Sequence, residues 1–104
     1  MGKKDNIEQL TNLMCKSLRH KIGSIVNENE LYAEKYAKDA EVIMNEAKKA
    51  LHKQNWNNYD KKVIKEKLKE KLKKELEEKD FINQRKFEIM DEEIEKAINE
   101  FNLI

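Results

Sequence analysis

The side chains with which this 104-residue chain could do chemistry are few and scattered: one cysteine, Cys15, two histidines, His20 and His52, and many carboxylates. A di-iron bundle needs Glu-x-x-His, because residues three apart on a helix point the same way into a core. Ser17 and Lys49 stand three positions before the two histidines. A structural zinc site needs clustered Cys and His, which this spacing does not provide. Gly23-Ser24 matches neither a phosphate-cradling loop nor a nucleophile elbow. Paired Glu and Asp occur along the chain, but general acid–base work requires a desolvated carboxylate, and open helical faces desolvate nothing. The sequence therefore predicts no enzyme, no cofactor and no metal site.

The remaining chemistry is recognition. Lysines from Lys61 to Lys79, with Lys67, Lys71 and Lys74 among them, could follow a phosphate backbone, and Trp56 and Tyr59 near their start offer stacking surfaces. Glutamates alternate with these lysines, and Arg19 and Arg85 are the only arginines. A solvated face is the better reading of such alternation, so nucleic acid ranks below protein as the expected partner.

The elements that must hold these groups are helical. The chain has no Pro and only two Gly, with 38% apolar and 41% charged residues, so helix formers dominate and tight β-turns lack their usual residues. Asp5 and Glu8 form a capping-box pattern ahead of Ile7, Leu10, Leu13, Met14, Leu18, Ile22 and Ile25, which predicts an amphipathic helix ending near Val26. Gly23 lies inside it. Asn27 to Glu30 is read as a turn, the alternative being a polar patch on one continuous helix of almost fifty residues. A second helix, Leu31 to about Lys53, carries a stripe of Tyr32, Tyr36, Ala40, Ile43, Ala47 and Ala50 or Leu51, whose alanines permit close helix approach.

The chain is organised around Asn55-Trp56-Asn57-Asn58-Tyr59-Asp60, beyond which Asn58 or Asp60 can cap a third helix. Its Ile64, Leu68, Leu72 and Leu76 give one apolar residue per turn, a narrow seam. After Glu78 to Asn83, a fourth helix follows. Phe87, Met90, Ile94, Ala97, Phe101 and Ile104 alternate three and four residues apart, the repeat of a coiled-coil seam. Fewer than three heptads must dock on the bundle or on another chain.

The formal net charge is +1, but residues 55 to 79 carry 9 basic and 6 acidic groups and residues 80 to 104 carry 3 and 7. Packed side by side, the third and fourth helices would compensate each other. A single cysteine forms no intramolecular disulfide, and no apolar run approaches membrane-spanning length. The cytoplasm, or the nucleus where there is one, is the expected compartment.

Two resemblances accompany this reading. Ile43, Glu46-Ala47 and Lys49, then Tyr59 and Ile64, resemble the long central helix, loop and final helix of archaeal-type histones. That resemblance implies an architectural DNA-binding role, although Trp56 and Asn58 stand where the family carries an Arg and a Thr. Leu31-Tyr32 with Glu34-Lys35, followed by Tyr59-Asp60-Lys61-Lys62, is similar to the helical hairpin of tubulin-binding cofactor A, a small three-helix chaperone. The proline that kinks that family's second helix is missing. The expectation is a single all-α domain, a small antiparallel bundle of three to four helices in two hairpins. It would act as an interaction or assembly protein for another protein or its own copy, through surfaces drawn from Trp56, Tyr59, Lys67, Lys71, Lys74, Phe87, Met90, Ile94 and Phe101.

Overall fold

A computed structural model describes residues 2–26, 33–79 and 84–103, which form four helices and no strand. Helix α1 spans Lys3–Val26, α2 Ala33–Leu51, α3 Asn58–Glu78 and α4 Lys86–Glu100. The expected all-α bundle of two antiparallel hairpins is the observed architecture. The expected turn at Asn27 to Glu30, Tyr32 of the α2 stripe, the 80–83 part of the next loop and Ile104 of the seam lie outside the described residues.

Helix α1 is the centre, packing against each of the other three, while α3 and α4 pack on each other and α2 rests on α1. Ion pairs from Lys3 to Asp60 and from Arg19 to Glu75 show that α1 and α3 run parallel. Contacts of Ser17 with Ala40 and of Gly23 with Tyr36 fix α2 as antiparallel to α1. A helix covered from three sides must bury more than one stripe. In α1 this extends to Thr11 and Ser17, whose hydroxyls donate to the carbonyl oxygens of Ile7, 2.8 Å, and Ala40, 2.6 Å. Buried hydroxyls need such acceptors, since an unmade hydrogen bond in the core is costly.

The buried residues of α2 are Ala40, Ala47 and Ala50, so two backbones come together with little between them. Tyr36 and Ile43 of the expected stripe are half-buried. The helix stops at Leu51, two residues before the expected end. Trp56 then packs against the core and donates its Nε1–H to the Leu51 carbonyl, 2.7 Å, satisfying an acceptor that the helix end leaves open.

Asn57, rather than the expected Asn58 or Asp60, caps α3. Its side chain accepts from the Asp60 amide at 2.8 Å while Asp60 accepts from the Asn57 amide at 3.1 Å, a reciprocal capping box. Ile64, Leu68, Leu72 and Leu76 are fully buried, as their spacing predicts. No such box forms at α1. That helix already begins at Lys3, and Glu8 is drawn instead to Lys67 and Lys71 of α3.

Helix α4 buries Met90, Ile94, Ala97 and Phe101 as the seam predicts, and widens it with Ile98 and Glu93. Phe87 departs from the expectation: it is 37% exposed, and its neighbour Lys86, 1% exposed, faces inward. The end of α4 is closed by Asn102 at φ 55° and a hydrogen bond from the Leu103 amide to the Ile98 carbonyl, which seats Leu103 in the core.

Candidate functional site

Parallel packing of α1 and α3 opens a groove of about 440 Å³ lined by Asn12, Cys15, Lys16 and Arg19 from one helix and Lys71, Lys74, Glu75 and Glu78 from the other. Residues three or four apart share a helical face, so Asn12, Lys16 and Arg19 make one wall and Lys71, Lys74, Glu75 and Glu78 the other. Four cations meet two carboxylates here, and they are not equally engaged. Lys71 is held by the Glu8 carboxylate, the Thr11 hydroxyl at 3.0 Å and the Asn12 side-chain oxygen at 2.7 Å. Arg19 Nε lies 3.8 Å from a Glu75 oxygen. Lys16 and Lys74 are exposed and have no ion-pair partner among the described residues.

The Lys71 and Lys67 hydrogen bonds hold the Glu8 carboxyl below the usual glutamate range. Burial pushes the Cys15 thiol up to about 11, a direction that the nearby Glu75 reinforces. At neutral pH Cys15 is a buried thiol, not a nucleophile. His20, edge-on to Tyr36 at 5.7 Å, has its pKa lowered by burial first and then by Arg19. Both effects disfavour its charged form at the α1–α2 contact. Among the described residues, no three His, Cys, Asp or Glu side chains gather to hold a metal ion. No helix among them is long and apolar enough to cross a membrane.

The outer face of α4 has the opposite charge. Glu88, Asp91, Glu92 and Glu95 are all exposed, at spacings that place them on one stripe facing away from the core. Lys96, on the same helix, is pinned between Glu92 at 3.5 Å and Glu93 at 3.1 Å. Lys65 and Lys69 face Asp91 and Glu95 across the α3–α4 groove. The expected compensation of α3 lysines by α4 is thus confined to that rim, because Lys67 and Lys71 pair with α1. A further cleft, about 430 Å³, lies between α1 and α2 over Ile25, Ala37, Ala40 and Met44, and the 2.7 Å ion pair from Lys48 to Glu100 of α4 spans one end.

Of the residues singled out from sequence, Lys71 and Lys74 line the α1–α3 groove and Lys67 joins them at Glu8. Tyr59, 73% exposed, and Trp56, half-buried in the bundle end, are not part of it. Met90, Ile94 and Phe101 belong to the core, with Phe87 at its edge. The groove's α1 wall was missed. Its signal was the basic excess of residues 1 to 26, with 5 basic and 2 acidic groups.

No protein-family model matches the chain, and searches among curated proteins and solved structures give no match. The histone and cofactor A resemblances therefore rest on the quoted residues alone. The part that resembles the histone central helix falls on α2, which packs on α1 alone.

Proposed function

We propose that this chain is a non-enzymatic interaction module that seats an acidic helix of a protein in the groove between α1 and α3. The observation that carries the reading is the pair Lys16 and Lys74, two exposed lysines on opposite walls of one groove with no carboxylate of their own. A groove between two helices is shaped to take the ridge of a third. Carboxylates on that ridge would supply what the two lysines lack. Alternating Glu and Lys on the outer face of α3 favours such local pairing over neutralisation of a long phosphate backbone.

The test is a binding titration with two synthetic helical peptides, one with Glu at positions i, i+4 and i+7 and one with Gln there. Binding of the Glu peptide alone, weakened at least about tenfold by Lys16→Gln with Lys74→Gln, is the expected result, since charge steers and specifies such contacts. Equal binding of both peptides overturns the proposal. Tighter binding of duplex DNA than of the Glu peptide at near-physiological salt replaces it with the DNA-binding reading.

A further inference from the structure

The molecule itself displays the acidic helix that its groove would take. Glu88, Asp91, Glu92 and Glu95 run along the exposed side of α4 over eight residues, and no basic residue interrupts them. We infer that the occupant of the α1–α3 groove is the α4 stripe of a second copy of this chain, so that copies associate head to tail. The inference rests on the interaction reading above and names its partner.

Geometry separates the two faces within one molecule. Successive residues of a helix are turned by about 100°, so Lys21, which pairs with Glu93 of α4 at 2.7 Å, lies nearly opposite Arg19 on α1. Helix α4 therefore flanks α1 on the side away from the groove, and its stripe points outward from there. A chain cannot fold its stripe into its own groove. The contact joins unlike faces, and such contacts repeat into rings or open chains rather than stopping at a two-fold dimer.

Charge sets the strength. Lys16 and Lys74 would meet stripe carboxylates flanked by Lys65 and Lys69 at their rim and by Lys96 on their own helix. Contacts among exposed charges are individually weak and fade once the screening length drops to a few ångströms. Association should be concentration-dependent and abolished by salt.

The experiment is analytical ultracentrifugation of the full chain at low ionic strength over a wide concentration range. Weight-average mass is expected to climb from 12.5 kDa past twice that value and to return to 12.5 kDa in about 0.5 M salt. Lys16→Gln with Lys74→Gln, and separately Glu88→Gln with Glu95→Gln, should each stay monomeric while keeping native helicity, because all four positions are exposed. Mixed in equal amounts, the two variants should form one-to-one pairs and nothing larger, since each keeps one intact face. A native chain that remains monomeric at low salt, variants that still self-associate, or association that strengthens with salt overturns the inference. A monomeric chain that still binds the Glu peptide removes only the second copy as occupant. A chain that neither binds the peptide nor associates removes the interaction reading as well.

Discussion

Lys86 Nζ donates a 2.8 Å hydrogen bond to the carbonyl oxygen of Lys79, the C-cap residue just past α3, while its stem is buried to 1% exposure. A cation at a helix C-terminus meets open carbonyls and the negative end of the dipole, so the amine is satisfied where a lysine is otherwise expelled. That side chain ties the end of α3 to the start of α4. Its Nζ also stands 5.2 Å from the Phe87 ring centre.

Lys86→Met keeps the buried stem but removes the donor, and is expected to cost about 1–3 kcal/mol in urea denaturation. Phe87→Ala should cost less than about 1 kcal/mol because that ring is partly in water, whereas Phe101→Ala at a closed position should cost about 3–5. A Phe87 cost equal to that of Phe101 would restore the coiled-coil reading of the seam.

That substitution of Lys86 for Phe87 marks the limit of what the sequence discloses. Spacing alone reveals Ile64, Leu68, Leu72 and Leu76, because every one of them answers to a single periodicity. A buried lysine follows from the position of the Lys79 carbonyl, which exists only once α3 and α4 have met. Glu8 makes the same point. Read locally it completes a box with Asp5, yet two lysines brought alongside by the parallel packing of α3 outcompete the helix start. The basic groove was half legible for this reason: its α3 wall is a visible lysine run, and its α1 wall depends on which helices become neighbours.

Acid should unfold the bundle partly through Glu93. Burial raises that carboxyl, but hydrogen bonds from Lys21 and Lys96 outweigh burial and leave it below the ordinary value of 4.5. A folded-state pKa below the unfolded one stabilises the fold above the unfolded value, and the gain disappears as pH falls through the folded value. Asp60, lowered first by Lys3, and Glu8 have the same sign. Glu93→Gln should therefore lose about 1–2 kcal/mol at pH 7, a figure discounted because Lys21 is partly exposed, and lose less than the native chain on further acidification. Parallel pH-stability curves for the two proteins would refute the assignment.

Gly23 offers a gain. It sits inside α1 with no positive φ, and a methyl group placed there would meet only the Tyr36 ring carbon at 3.8 Å, ordinary contact. Gly in a helix interior costs roughly 1 kcal/mol relative to Ala through backbone entropy. Gly23→Ala should raise stability by about 0.5–1 kcal/mol, read as a higher urea midpoint with unchanged slope. A lower midpoint would mean that α1 and α2 need the bare backbone at this crossing.

The α1–α2 contact itself is tested by opposite changes at neighbouring positions. Ala47 is fully buried in the core cluster, so Ala47→Leu inserts three carbons with no space to receive them, and overpacking of this kind costs about 1–3 kcal/mol. Ser17→Ala removes the 2.6 Å hydrogen bond to the Ala40 carbonyl, but that carbonyl lies in mid-helix and keeps its own intrahelical donor, so the loss should stay near 1 kcal/mol. Hydrogen exchange separates local from global effects. Because α2 rests on α1, Ala47→Leu should speed exchange in α2 amides well before those of α3 at Ile64 and Leu68. Uniform acceleration across all four helices would show that α2 is integral to one cooperative unit rather than the looser layer its alanine contact implies.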